Sequence, residues 1–556
     1  MIQTKTPDAE TVNVATHLTQ MAREQPYKRA VVYPAGRDKH NRVTYAHLTF
    51  LQLEQEVDRL AHGLKKAGIT RQTKTVLMVR PSIEFFALIF AIFKTGAVPV
   101  VVDPGMGIRR MLSCYRSTRP EAFIGIPLAH VVRTLSPKFF NTVNTWITVG
   151  KRWFWGGSTL DQIRLPDWKP FQTADTARDE TAAILFTTGS TGPAKGALYT
   201  HGNFDAQLQQ IKTHLNLATD EIDLSTFPLF ALFYPALGVT AVIPDMDPTR
   251  PALVNPERII EAANNQGITN MFASPALLNR VGGYGKKKAI KLPSLKRVIS
   301  AGAPVSPDNI EQFSALLSDD AQIHTPYGAT EAVPIISITS NEIITETRNF
   351  SEKGYGICIG RPINNIDIQL IKISDDPIET WSDDLRVARG EIGEITVKGA
   401  LVSRKYYNDP KATALAKIEE NGEIRHRMGD LGWMDNKERI WFCGRKSHRV
   451  ITADGTLFTI PCEAIFNTHP AVFRSALVGV GPRPHQKPAI CIERDKSNAG
   501  INKRSLTDEL LELAAASELT RSIQTVLFHK SFPVDIRHNS KIFREKLAVW
   551  AEHKIK

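Results

Sequence analysis

The sequence predicts an α/β protein with a smaller α+β unit at its C-terminal end. Three observations carry that reading. Strand-like and helix-like segments alternate between residues 75 and 105, the alternation recurs between 182 and 331, and after about residue 350 the segments shorten and alternate polar with apolar. The first two patterns suit parallel βαβ units, and the third suits antiparallel strands. At 556 residues the chain exceeds what one compact core accommodates, so more than one domain is expected.

Two amphipathic helices open the chain. The second, "TFLQLEQEVDRLAHGLKKAG", places Leu53, Val57, Leu60, Ala61 and Leu64 on one face and stops at Gly68. "TVLMV" reads as a buried strand, "FFALIFAIF" (85–93) as a core helix too short to span a bilayer, and "AVPVVVDPG" as the next strand. "AAILFTT", "ITNMFASPA", "LKRVISAGAPV" and "QIHTPYGATE" continue the pattern. Ligands of open α/β sheets sit at the carboxyl ends of strands, so "TTGST", "SAGAP" and "PYGATE" are expected around one crevice. "DIQLIKI" and "GEIGEITVKG" read as antiparallel strands, 444–447 as a hinge, and "PCEAIFNTHPAV", "RSALVGVG" and "SLTDELLELAAA" as the final α+β unit. The boundaries are 1–445 and 446–556.

Composition excludes several classes. With 42% hydrophobic and 23% charged residues the chain is an ordinary folded protein. Its start lacks the apolar core of a signal peptide, and five scattered cysteines without C-x-x-C spacing imply neither disulfides nor zinc, so a reducing cytoplasm fits. The net charge of +12 divides equally, with 52 Lys/Arg against 46 Asp/Glu before Lys446 and 17 against 11 from there on. The longest basic run, "KKK" at 286–288, reads as a solvated loop, and no nucleic-acid partner is expected. Residues 224–244 carry no charge over a span-like length, but Pro228, Pro235, Pro244 and Gly238 interrupt any helix. They read as a buried segment lining an apolar cavity.

The segment "FTTGSTGPAKG" (186–196) combines small residues, hydroxyls and one lysine, which suits a polyphosphate: backbone N–H groups can approach closely, and an ammonium supplies countercharge. It is not a Walker A loop, because Ala194 precedes Lys195 and Gly196 follows it, leaving no hydroxyl after the lysine.

Together with "YGATE", "MGDLGWMDNKERIWFCGRK", "GEITVKGALVSRKYYNDPKAT", "PCEAIFNTHPAV" and "HNSKIFREKL", in this order, the loop resembles the adenylate-forming superfamily of acyl-CoA synthetases, adenylation domains and luciferases. The resemblance covers nearly the whole chain. It implies a large N-terminal domain of parallel and mixed sheets with flanking helices and a small distorted β-barrel, and a mobile C-terminal lid. It implies ATP and Mg²⁺, with Thr187, Thr188, Gly189, Ser190, Thr191, Gly192 and Lys195 holding the phosphates and Glu331 with Thr188 holding the metal. Tyr327 would stack on adenine beside Gly302, Ala303 and Pro304, with Gly328 and Thr330 in the same motif. Asp430 would accept from the ribose with Arg445 nearby. Lys541 would swing in to stabilise charge on the carboxylate and α-phosphate. Lys541, Glu331 and Lys195 are thus the implied catalytic residues.

The chain departs from many acyl-CoA synthetases at Ala231, Ser447, the "ADG" at 453–455 and Ser540. "FPLFALFYPALG", "IPDMDPTRPA" and "PVDIRHNSKIFREKLAVWA" resemble one branch, the olefin β-lactone synthetases. That branch implies a long-chain 2-alkyl-3-hydroxy acid, adenylated and then closed by its own hydroxyl, a nucleophile needing no CoA site. Two other readings stay open: a long-chain acyl-CoA or acyl-AMP ligase, for which CoA would be a co-substrate, and an inactive ATP- or lipid-binding module. Contact with a membrane surface or a pathway enzyme is left open, and the oligomeric state is not legible.

Overall fold

A computed structural model describes residues 11–187, 194–227, 232–495, 500–534 and 542–555. Two sheets build the larger part. The first has seven strands in the order Ser158–Thr159, Thr145–Thr148, Ala122–Gly125, Lys74–Met78, Val98–Val102, Thr181–Thr187 and Lys195–Thr200. Every pairing is parallel except the last, a hairpin. The second is mixed. Its parallel centre is Thr240–Val242, Ile222–Leu224, Asn270–Phe272, Arg297–Ile299 and Gln322–Ala329. Beyond Ala332–Thr339 it continues as antiparallel strands Ile357–Pro362, Ile440–Arg445, Glu423–Met434, Gly393–Lys398 and Asp367–Ile371, the segments expected from the alternation after residue 350.

The helix Ile83–Lys94 joins the two sheets. Every residue from Phe85 onward is buried, and one core cluster unites it with Val31 and Ala241 of the second sheet and Ala122 and Ile124 of the first. Each such large side chain contributes about 1.5–3 kcal/mol by burial. The apolar run was legible; its buried end was not. Lys94, 2% exposed, lies 2.6 Å from both Glu54 and Asp58 on the helix Phe50–Lys66, whose remaining inner face is the expected leucine and valine stripe. Two carboxylates in the core hold one ammonium.

The lysines at 286–288 are exposed as expected, but only Lys288 lies in a turn. Lys286 and Lys287 close the helix Pro275–Lys287, where cations suit the negative end of the macrodipole. The glycines before them allow close packing: a Cβ on Gly285 would stand 2.3 Å from Leu316.

The small C-terminal domain has its own cores. Its sheet is Val472–Val480, Lys487–Arg494 and Thr525–Phe528, covered by Thr459–Asn467, Lys503–Ala515 and Arg544–Ile555. At the junction Lys446 Nζ lies 3.0 Å from Glu394, and Arg449 pairs with Asp375 at 2.6 Å. Among the described residues no helix is long and apolar enough to cross a membrane.

Candidate active site

Thr187 and Lys195 are the last paired residues of the antiparallel strands Thr181–Thr187 and Lys195–Thr200. The three strand ends expected around one crevice come from two sheets, not one: Thr181–Thr187 from the first, and Arg297–Ile299 and Gln322–Ala329 from the second. They still converge. Lys195, Gly302, Gly328, Thr330, Glu331 and Arg445 line a single cavity of about 590 Å³, a size that takes a drug-sized ligand. Ala303 and Pro304 follow Gly302 without lining it. Thr188, Gly189, Ser190, Thr191, Gly192 and Lys541 lie outside the described residues, as do Ala231 and Ser540.

Backbone hydrogen bonds assemble the polar end. Leu198 N donates to Lys405 O at 3.2 Å and Tyr407 N to Gly196 O at 2.8 Å, laying 405–407 beside the Lys195 strand. Ser403 N donates to Glu331 O at 2.9 Å. The Tyr406 hydroxyl consequently donates to Glu331 Oε1 at 2.5 Å, while Lys195 Nζ lies 5.2 Å and Lys417 Nζ 5.7 Å from the Tyr406 ring centre. Glu331 itself sits in a tight turn. A Cβ on Gly328 would stand 2.5 Å from Ala332 O, so only glycine admits it.

Strand register places the next pair. Lys417 opposes His426 across the ladder Lys417–Glu420 with Glu423–Met434. His426 Nδ1 lies 3.0 Å from the carbonyl of Ala416, so Nδ1 carries the proton and Nε2 is left as an acceptor. Burial, then Lys417, pushes the His426 pKa down to about 3, and the ring is neutral. Burial also pushes Lys417 down to about 7, against the attraction of Glu331. Burial alone would raise the Glu331 carboxyl. It is held below its usual range by His426, the Tyr406 hydrogen bond and Lys417. Since His426 is neutral at pH 7 and Lys417 loses its charge near there, the Tyr406 hydroxyl is the partner that persists.

Asp430 and Arg445 are likewise register partners, with Asp430 Oδ1 3.0 Å from Arg445 Nε. That contact has ion-pair distance without hydrogen-bond alignment, and Oδ1 is left without a hydrogen bond. The Tyr327 hydroxyl donates to Asp430 Oδ2 at 2.5 Å. Tyr327 and Asp430 are therefore held together beside the cavity rather than lining it, with Asp430 Oδ1 buried against Arg445.

The other end of the cavity is apolar. Phe227, Leu232 and Phe233 line it, in keeping with the reading of 224–244, together with Phe93, Leu185 and Phe272. The residues missed from sequence are Tyr406, Lys417 and His426. Their signal was position alone: Tyr406 within "SRKYYNDP", and His426 four residues before Asp430.

The description "AMP-binding enzyme" matches residues 18–407, well over half the sequence. The chain belongs to this family. It is an AMP-forming ligase of the adenylate-forming type. Over 546 residues it is 45% identical to an olefin beta-lactone synthetase of Xanthomonas campestris pv. campestris, with 97% of each chain covered. It is 46% identical over 548 residues to one of Stenotrophomonas maltophilia, covering 97% of this chain and 98% of the relative. The solved amide bond synthetase McbA of Marinactinospora thermotolerans shares the fold, with a TM-score of 0.78 at 19% identity over 97% of this chain and 99% of that one.

Proposed function

We propose that this enzyme activates a long-chain 2-alkyl-3-hydroxy acid as its acyl-adenylate and closes it to a β-lactone. The substrate carboxylate oxygen attacks the α-phosphorus of ATP and diphosphate leaves. The substrate's own β-hydroxyl oxygen then adds to the acyl carbon, the bond from that carbon to the AMP oxygen breaks, and the hydroxyl proton is lost. The observation that carries this reading is near-full-length identity of 45–46% with two enzymes named olefin beta-lactone synthetase. A cavity joining a charged end to an aromatic and aliphatic end supports it.

In this reading Lys195, with Thr187, Thr188, Gly189, Ser190, Thr191 and Gly192, neutralises and aligns the triphosphate. Tyr327 and the backbone of Gly302, Ala303 and Pro304 hold adenine. Asp430 accepts from the ribose, with Arg445 beside it. Lys541, on a lid formed by 446–556, stabilises charge on the reacting oxygens. Among the described residues no cluster of three or more His, Cys, Asp or Glu could hold a metal alone. A single low-pKa carboxylate at the cavity wall fits Mg²⁺, which binds one or two carboxylates and fills its shell with substrate phosphates. Glu331 with Thr188 would hold it, and it would neutralise phosphate charge.

The test supplies the protein with ATP and Mg²⁺ plus either a 3-hydroxy-2-alkyl acid without CoA, or palmitate with CoA. Lactone by NMR in the first mixture is expected. Thioester in the second with no lactone in the first would make the enzyme an acyl-CoA ligase instead.

A further inference from the structure

Positive charge is concentrated on one face. Residues 104–157 contain eight Lys/Arg and one acid, Glu121, and so hold seven of the chain's twelve net charges. Glu121 is itself paired with Lys74 at 2.7 Å. Arg109, Arg110, Arg116, Arg119, Lys138, Lys151 and Arg152 are all exposed, and among the described residues none forms a salt bridge. This escaped the sequence reading because the cations are spread over one helix, the residues that follow each of two helices, and a loop, rather than gathered in a run.

Those elements share one outer surface. The helices Ile108–Thr118 and Pro127–Leu135 cover the same face of the first sheet, through a single core containing Met111, Tyr115, Ala129, Phe123 and Phe140. The loop 150–157 is pinned to the second helix, because the buried Trp155 stacks on His130 at 5.3 Å and donates to Thr148 Oγ1 at 3.0 Å. Arg152 closes the loop onto the Gly157 carbonyl. The closure leaves its tip outward: Trp153 is 55% and Phe154 76% exposed. Leu128 (60%), Leu135 (79%) and Ile108 (53%) stand on the two helices.

We propose that this face docks the enzyme on an anionic lipid bilayer, with Trp153 and Phe154 inserted at the headgroup boundary and the surrounding arginines and lysines on lipid phosphates. Interfacial Trp with flanking Lys and Arg matches the chemistry of that boundary, and each cation near an anionic leaflet adds attraction. A nucleic acid would also meet cations and aromatics, but it gives no burial to the aliphatic Leu128, Leu135 and Ile108. Docking leaves the cavity free. Val98, Val100 and Val102 of the central strand pack beneath the helices, whereas Pro99 and Val101, on its other side, line the cavity.

The experiment is co-sedimentation of the full chain with phosphatidylcholine vesicles, with and without phosphatidylglycerol, over a salt series. The protein is expected on the phosphatidylglycerol vesicles, less so as salt rises. Lys151→Glu/Arg152→Glu should lower partitioning at least about tenfold, and Trp153→Ser/Phe154→Ser should lower it comparably. Both variants should retain ATP–diphosphate exchange measured without vesicles, which shows that they fold. No association with phosphatidylglycerol vesicles at low salt, or association untouched by both double variants, overturns the proposal. So does salt-sensitive binding to duplex DNA, lost in the same variants, when the vesicles are not bound.

Discussion

Replacing Tyr406 by Phe isolates one hydrogen bond at the centre of the site. The ring stays between its neighbours, Lys195 and Lys417, and only the hydroxyl that donates to Glu331 Oε1 at 2.5 Å is lost. A hydrogen bond to a charged acceptor is worth about 1.5–3 kcal/mol. At about 1.36 kcal/mol per factor of ten that corresponds to roughly 10- to 150-fold. Groups that orient a metal-binding carboxylate act in the same range, about 10- to 100-fold. The assay is ATP–diphosphate exchange as a function of Mg²⁺ at saturating acid. Tyr406→Phe should move the Mg²⁺ dependence to higher concentration or lower the plateau by that factor, while the protein unfolds at nearly the wild-type denaturant concentration. Exchange with unchanged Mg²⁺ dependence and unchanged plateau would refute the assignment of Glu331 as the metal-holding carboxylate oriented by Tyr406.

Other perturbations test other parts. Lys541→Ala should lower exchange by about 10²–10³-fold, as for loss of a group that stabilises developing charge, with ATP binding by calorimetry mostly intact. Lys94→Met should destabilise the large domain by about 3–5 kcal/mol, because Glu54 and Asp58 are left buried without their cation. Adding Glu54→Gln and Asp58→Asn should recover most of the denaturation midpoint. The buried Asp223 has its pKa pushed up to about 7 by desolvation, against hydrogen bonds from Ser225 and Asn270. A carboxyl raised in the folded state contributes stability below its unfolded pKa of about 4, and that contribution is lost as pH climbs through about 7. Asp223→Asn should therefore match wild type near pH 4 in denaturant titrations and exceed it at pH 8.

What the sequence made legible was local. The stripe of Leu53, Val57, Leu60 and Leu64, the apolar run 85–93 and the alternation after residue 350 each encode an element through its own periodicity, and each appears at its expected place. What stayed hidden depends on pairing across long separations. That Thr181–Thr187 belongs to one sheet and Gln322–Ala329 to another is decided by strand partners far apart in the chain. Tyr406 reaches Glu331 across 75 residues, and Lys417 meets His426 only through register. Lys94 ends a run that reads like any helix terminus, and its burial depends on carboxylates about 40 residues earlier.

The most direct test of the central claim follows oxygen atoms. A 3-hydroxy-2-alkyl acid carrying ¹⁸O in its carboxylate is turned over with ATP and Mg²⁺ in the absence of CoA, and AMP and lactone are weighed by mass spectrometry. Activation at the carboxylate predicts one ¹⁸O in AMP, one in the lactone carbonyl, and the unlabelled hydroxyl oxygen in the ring. Unlabelled AMP, with both ¹⁸O atoms retained in the lactone, would mean that the hydroxyl was activated instead, and would contradict the account.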